Sequence, residues 1–280
     1  MADVQKGPLP AKLAIYLVMF VFTLLALYPL LWLVVQSFKT TQEYLTSSKL
    51  ALPKLWFPGN YSYAWRVGNF GILLLNSIFY TVVTVVSVVV LGFMAGFAFA
   101  KIKSRATPLL HGVFIIGILL TLQSIMVPLF LMVNAVGLYN TRLGILIPYI
   151  GIGLPMGVYL GTEFIRSIPD ALIESARIDG AKYLRIFASI IFPMSAPVAM
   201  TVGILTFTGT WNEFMLINIL TSSDAIKSIP VGINRFSGSL ASDYGKQFSA
   251  LVIGMIPMVT FYLIFRKQIT KGVAAGAVNG

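Results

Sequence analysis

Apolar residues run along this chain in long blocks, and six of them match the length of a membrane-crossing helix. They fall at 12–38, 70–100, 108–133, 143–165, 192–219 and 247–266. A helix needs roughly 20 apolar residues to cross a hydrocarbon core about 30 Å thick. The first block is too long for a leader, lacks a small-x-small cleavage site and runs straight into Gln36-Ser37-Phe38-Lys39, so a retained helix is expected. One polar island, 167–197, breaks the apolar pattern with three carboxylates, three basic residues and a Gly-centred break. A polar segment of that size between two spans is placed to touch something outside the bilayer.

Composition sharpens the class. Residues are 58% hydrophobic and only 10% charged, where a soluble domain carries about 25% charged residues. No soluble fold hides that much apolar surface, so the expected fold class is all-α: a polytopic membrane protein of six transmembrane helices, a single domain over 1–280. There is no cysteine and one histidine, His111, which excludes thiolate chemistry and any metal site built on several imidazoles. His111 itself reads as a packing or headgroup residue before a proton relay. No GxxxxGK[ST] run is present, so the backbone cradle for ATP phosphates is missing.

The net charge is +11, but the basic residues flank the spans instead of forming a nucleic-acid patch. Twelve Lys and Arg fall on the side shared by both termini and eight on the other. The dense groups are Lys101, Lys103, Arg105 and Arg266, Lys267, Lys271. The positive-inside bias places both termini and the polar island in the cytoplasm. On the other side, 40–69 is rich in aromatics and Pro, and suits an interfacial belt of short helical or re-entrant pieces. The 220–246 loop, with Gly238-Ser239, is long enough to reach a partner.

Within the island, Ser167 stands three residues before Asp170, the capping-box spacing of a helix start, with Pro169 in the first turn. Asp179-Gly180 predicts the stop, because Gly supplies a left-handed closing residue. A second helical stretch then runs into the membrane past Pro193. Ile173, Ala176 and Ile178 call for an apolar partner. A groove on a soluble protein and a lipid surface serve equally well on the residues alone.

The island resembles the EAA loop of ATP-binding-cassette (ABC) importer permeases. The matching residues are Glu174, Ser175, Ala176, Asp179, Gly180 and Ala181, then Phe187, Ile190, Pro193 and Pro197. Ser175 replaces an alanine of the pattern with another small residue. The flanks are similar to the MalG-like branch of the carbohydrate-uptake permeases, through Tyr28-Pro29, Asn76-Ser77, Gly137-Leu138 with Asn140-Thr141, and Trp211-Asn212-Glu213-Phe214. This resemblance implies a transport subunit and not an enzyme. It implies a second homologous permease, an ABC ATPase dimer and an extracytoplasmic sugar-binding protein as partners in the cytoplasmic membrane. The chain itself then carries no cofactor; ATP and Mg belong to the partner ATPase. Glu174, Ser175, Ala176, Asp179, Gly180 and Ala181 become coupling residues, with Glu174 the contact to an ATPase arginine. The tail, Gly276 to Gly280, becomes a second ATPase contact.

Polar residues inside spans are costly in lipid and mark the substrate path. Asn76, Gln123, Trp211, Asn212, Glu213 and Phe214 are the candidates. A structural hydrogen bond or an interfacial position is the plain alternative for each. Glu163 reads as interfacial. Gly92 and Gly96 form a GxxxG that suits close helix packing, and Pro128, Pro148, Pro155 and Pro257 mark expected kinks. A lone secondary transporter calls for inverted repeats and paired midplane charges, and a membrane enzyme for convergent acid, base or metal ligands; the sequence offers neither. A non-transporting scaffold for an ATPase stays open, though kinked spans and buried polar residues favour a moving conduit.

Overall fold

A computed structural model describes residues 9–102, 104–234, 236 and 243–278. Lys103, Gly238, Ser239 and Gly280 lie outside them. The described residues are helical, with no strand. In chain order the helices are α1 (Leu9–Gln36), α2 (Thr41–Thr46), α3 (Gly59–Arg66), α4 (Phe70–Lys101), α5 (Thr107–Leu119), α6 (Leu122–Ala135), α7 (Arg142–Arg166) and α8 (Asp170–Ile178). They continue as α9 (Tyr183–Met194), α10 (Ala196–Asn212), α11 (Met215–Leu220), α12 (Ile229–Asn234) and α13 (Tyr244–Val278).

Four described helices are long and apolar enough to cross a membrane: Lys12–Gln36, Phe70–Lys101, Arg142–Arg166 and Tyr244–Gln268. The third and fifth expected spans are bent pairs. α5 and α6 meet at 110°, and α9 and α10 at 79°. These two breaks lie away from the four prolines expected to kink their helices. Pro128, Pro148, Pro155 and Pro257 all sit inside helices that run on through them. The sharp break in the third span falls at Leu120, whose backbone turns extended. In the fifth it falls at Ser195, between Pro193 and Pro197, two residues that have no N–H to continue a ladder. Ser195 Oγ donates back to Ile191 O at 2.7 Å, and the residue is fully buried. The bent pair at the fifth expected span starts at Tyr183, passes a π-helical turn at Phe187–Ile191, and ends at Asn212, short of residue 219.

The structure divides into two compact units. The first is Met1–Phe70 with Ile233–Met255. Here the aromatic belt of 40–69 folds as helical pieces around a polar knot. Asn60 Nδ2 donates to Ser37 O and Lys39 O, both at 2.8 Å. Lys39 is itself buried, its Nζ satisfied by Ser48 O at 3.2 Å; a cation taken out of water needs such partners. Thr41 Oγ1 donates to Asp243 Oδ1 at 2.6 Å, and Lys246 pairs with the same carboxylate at 2.5 Å. Burial works to raise the Asp243 carboxyl, but the bonds from Lys246 and Thr41 outweigh it and hold it below the usual carboxylate range.

The second unit is Gly71–Gly232 with Ile256–Gly280. Its spine is a close crossing of α4 and α7, where the Gly92/Gly96 GxxxG faces a second one, Gly157/Gly161. A Cβ on Gly92 would lie 2.9 Å from Gly157 C, and one on Gly96 would lie 2.8 Å from Thr162 N. Backbone approaches backbone, the contact that small residues permit in lipid. One apolar core, including Phe93, Phe97, Ile165, Ile186, Phe187 and Ile191, surrounds one end of this spine. Another, including Tyr80, Ile145, Tyr149, Leu216 and Leu220, surrounds the other end.

Candidate functional site

α8 forms where the polar island predicts a helix, but its start is built differently. Ser167 is not the N-cap. It closes the end of α7, with Oγ donating to Phe164 O at 2.7 Å. The residue before α8 is Pro169, in extended backbone and with no side-chain cap. Asp170 instead accepts from Lys101 Nζ, on the last residue of α4, at 2.6 Å. The sequence signal for a capping box is genuine in spacing, yet a cation 69 residues earlier takes the carboxylate.

The stop follows expectation. Gly180 has φ +79°, and Ala181 N donates to Ala176 O at 2.9 Å while Gly180 N donates to Arg177 O at 3.0 Å. These two bonds close the helix in the left-handed Schellman manner and satisfy its last carbonyls.

The faces of α8 divide sharply. Ile173 and Ala176 are buried in the chain's own core beside Phe97, Ile186 and Phe187. They are therefore not free for a partner's groove, which corrects the sequence reading. Ile178 is 87% exposed. Glu174, Ser175, Arg177, Asp179 and Gly180 are exposed beside it, and Ala181 is half-buried against the core. Arg177 lies over the Tyr183 ring at 5.5 Å. A cleft of about 390 Å³ runs along this helix, lined by Lys101, Asp170, Glu174, Arg177 and Tyr183 among others. The surface is thus a helix footed in the core on one side and presenting two large apolar side chains on the other, Ile178 and, at 42% exposure, Leu172, among charged residues. Gly276, the tail candidate, falls inside α13, and Gly280 lies outside the described residues.

The substrate-path candidates scatter. Glu213 follows the last residue of α10, and its carboxylate is fully engaged. Oε2 accepts from Tyr149 OH at 2.6 Å and Ile217 N at 3.2 Å, and Oε1 accepts from Leu216 N at 2.7 Å. An anion at the start of α11 satisfies backbone donors that have no partner within the helix. Glu213 also borders a cavity of about 420 Å³ with Tyr149, Thr206, Gly209 and Thr210. Trp211 is buried and stacks on Phe207 at 5.8 Å, and Phe214 packs into the core. Asn212 is exposed and bonds back to Thr208 O at 2.9 Å. Gln123 is exposed on α6, just past the 110° bend.

Asn76 is buried, and its amide donates to Ala225 O at 2.8 Å and Lys227 O at 3.0 Å. Ser77 Oγ accepts from Ile229 N at 2.9 Å, and Tyr80 OH donates to Ile226 O at 2.8 Å. Together with Asn140, whose Oδ1 accepts from Ser222 N and Ser223 N, they fasten the 222–229 segment to the unit's second core. His111 is buried with its ring edge-on to Phe99, and Glu163 pairs with Arg166 at 2.7 Å on a half-exposed face. Sequence reasoning missed Tyr149, Thr206 and Thr210 because a hydroxyl in a span carries no distinctive signal. Lys101 was visible as one member of a basic cluster and as the end of the Ala98-Phe99-Ala100-Lys101 run shared with the family, with no role attached to its side chain.

Residues 88–274, which include α7 to α11, match the family model described as a binding-protein-dependent transport system inner membrane component. The chain belongs to this family. It is a permease, the transport component of a membrane importer. A putative ABC transporter permease, ORF2, of Caldicellulosiruptor sp. is 36% identical over 260 residues, covering 93% of this chain and 94% of that protein. The trehalose transport system permease protein SugB of Mycobacterium tuberculosis is 35% identical, covering 91% and 93% respectively. Among solved structures, a bacterial ABC transporter involved in the import of the acidic polysaccharide alginate superposes with a TM-score of 0.79 at 22% identity, covering 91% of this chain and 95% of that one. That likeness establishes the shared permease fold.

Proposed function

We propose that this permease serves an ABC importer for carbohydrate, most simply an oligosaccharide. It forms the translocation path with a second homologous permease. An ATPase dimer, which binds the ATP and Mg, docks on α8 from the cytoplasm, where both termini also lie. An extracytoplasmic binding protein delivers the sugar. Closure of the ATPase dimer moves α8, and the spans then alternate access across the bilayer.

The observation that carries this reading is the divided surface of α8. Its inner face is anchored by Ile173 and Ala176, and its outer face offers Ile178 at 87% exposure among Glu174, Arg177 and Asp179. A helix lying on lipid turns its apolar face to the acyl chains; here Ile173 and Ala176 are spent on the chain's own core, leaving Leu172 and Ile178 as the exposed apolar side chains of α8. An exposed isoleucine ringed by charge suits a protein pocket with a polar rim. The sugar assignment draws support from the named substrates of relatives, among them trehalose for SugB and diacetylchitobiose for the NgcG permease of Streptomyces coelicolor. The residues around Glu213 are the path candidates, together with Thr206 and Thr210, which line the same cavity.

Glu174→Ala tests the coupling role. In the reassembled importer this substitution should cut uptake of labelled trehalose or maltotriose by about 10-fold, the loss expected when a charge-assisted contact worth about 1.5 kcal/mol is removed. Sugar capture by the binding protein should be unchanged. Uptake at the unsubstituted rate would defeat the assignment of Glu174.

A further inference from the structure

We propose that Lys101 is a positioning residue, a latch that fixes the start of α8 to the end of α4 so that motion of α8 reaches the spans. This inference rests on the reading of α8 as the coupling helix. It adds a residue outside the polar island and states what that residue does.

Three observations carry it. Lys101 ends a 32-residue helix, yet its side chain is only 6% exposed. A lysine at a span terminus ordinarily sends its ammonium toward the interface and water. Here Nζ is held against the chain, donating to Ile168 O at 2.5 Å and to Oδ1 of the largely exposed Asp170 at 2.6 Å. The first acceptor lies in the link between α7 and α8, and the second is the first residue of α8. One ammonium therefore ties three elements together. Finally, α4 is locked to α7 by the facing glycines, where a Cβ on Gly96 would lie 2.8 Å from Thr162 N. The α4–α7 pair thus moves as one beam, and Lys101 binds α8 to its end. The apolar footing of Ile173 and Ala176 allows α8 to rock, since nonpolar contacts have no direction. Two short charge-assisted bonds fix its angle.

The test uses the importer assembled in membrane vesicles with its ATPase, second permease and binding protein. The chain has no cysteine, so Thr206→Cys in the cavity beside Glu213 supplies a reporter thiol, read on this chain alone by mass spectrometry. The probes are MgATP with vanadate and a membrane-impermeant maleimide. With Lys101 present, trapping should change the labelling rate by about 5-fold or more, the lower end of typical allosteric coupling. In Lys101→Met the change should fall below about 2-fold while ATP hydrolysis continues, and in Lys101→Arg at least about half of the change should return. Asp170→Asn keeps the Ile168 bond and should fall between; it carries the test if the Met variant does not assemble. A full response in Lys101→Met, or in Asp170→Asn where that variant stands in for it, overturns the latch, as does an Arg variant no better than Met. No ATP-driven change in the parent chain defeats the coupling reading itself, and the latch with it.

Discussion

Gly96→Val is expected to prevent the chain from accumulating as a folded permease. Its Cβ would lie 2.8 Å from Thr162 N and 3.0 Å from Gly161 C. Both obstacles are backbone, so no rotamer change relieves them, and the helices must separate along the whole Gly92–Gly96 contact. Overpacking a tight interior costs about 1–3 kcal/mol, and losing the close approach of α4 and α7 adds to it. The signature is a shift from a single peak to aggregate in size-exclusion chromatography of the detergent-purified protein, with a lowered melting temperature for whatever remains. Gly151→Ala, in α7 with nothing within 4 Å of its would-be Cβ, is the matched control and should be neutral or slightly stabilising, because alanine favours helix by about 1 kcal/mol over glycine. A Gly96→Val protein as stable as the control would mean that α4 and α7 do not meet backbone to backbone.

Gly180→Val should leave the permease folded and disable transport. Gly180 sits at φ +79° with nothing within 4 Å of its would-be Cβ, so the penalty is conformational and not steric. A left-handed residue with a side chain costs about 1–2 kcal/mol, more when β-branched. The cheapest escape is to open the two closing bonds at Arg177 and Ala176, which redirects the exposed face of α8. The core under Ile173 is untouched. Melting should therefore move little while uptake falls by about 10-fold, since 1.4 kcal/mol of lost population of the competent geometry is a factor of ten. Gly180→Asn should keep most of the activity, because asparagine visits the left-handed region readily. An Asn variant as impaired as Val would show that the space around Gly180, and not its backbone, matters.

The spans were legible because lipid leaves little choice. A block of 20 or more apolar residues has few structures open to it, so four of the expected segments are unbroken apolar helices and the other two are bent pairs. The bends were less legible. Four prolines inside helices were the obvious candidates, yet the breaks came at Leu120 and at Ser195 between two prolines. A lone proline's missing bond is absorbed within a packed helix, whereas two prolines flanking a serine that bonds backward leave no ladder to continue. α8 was legible at its Gly180 end, where local chemistry decides. Its Ser167 end misled, because a distant lysine competes for Asp170 and no local pattern shows that. Glu213 was found as a costly polar group, but its partners, Tyr149 and the start of α11, are tertiary. The assignment of Ile173 and Ala176 to a partner failed for a similar reason: amphipathicity shows that a face is covered, not by whom.

The most direct test of the account is co-purification from gently solubilised native membranes, comparing the unaltered chain with one whose 174–180 segment is replaced by a flexible linker. The account predicts that a P-loop ATPase and a second permease accompany the unaltered chain, and that the ATPase alone is lost with the linker. If no ATPase accompanies the unaltered chain, α8 is not a docking helix, and the mechanism proposed for this permease is wrong.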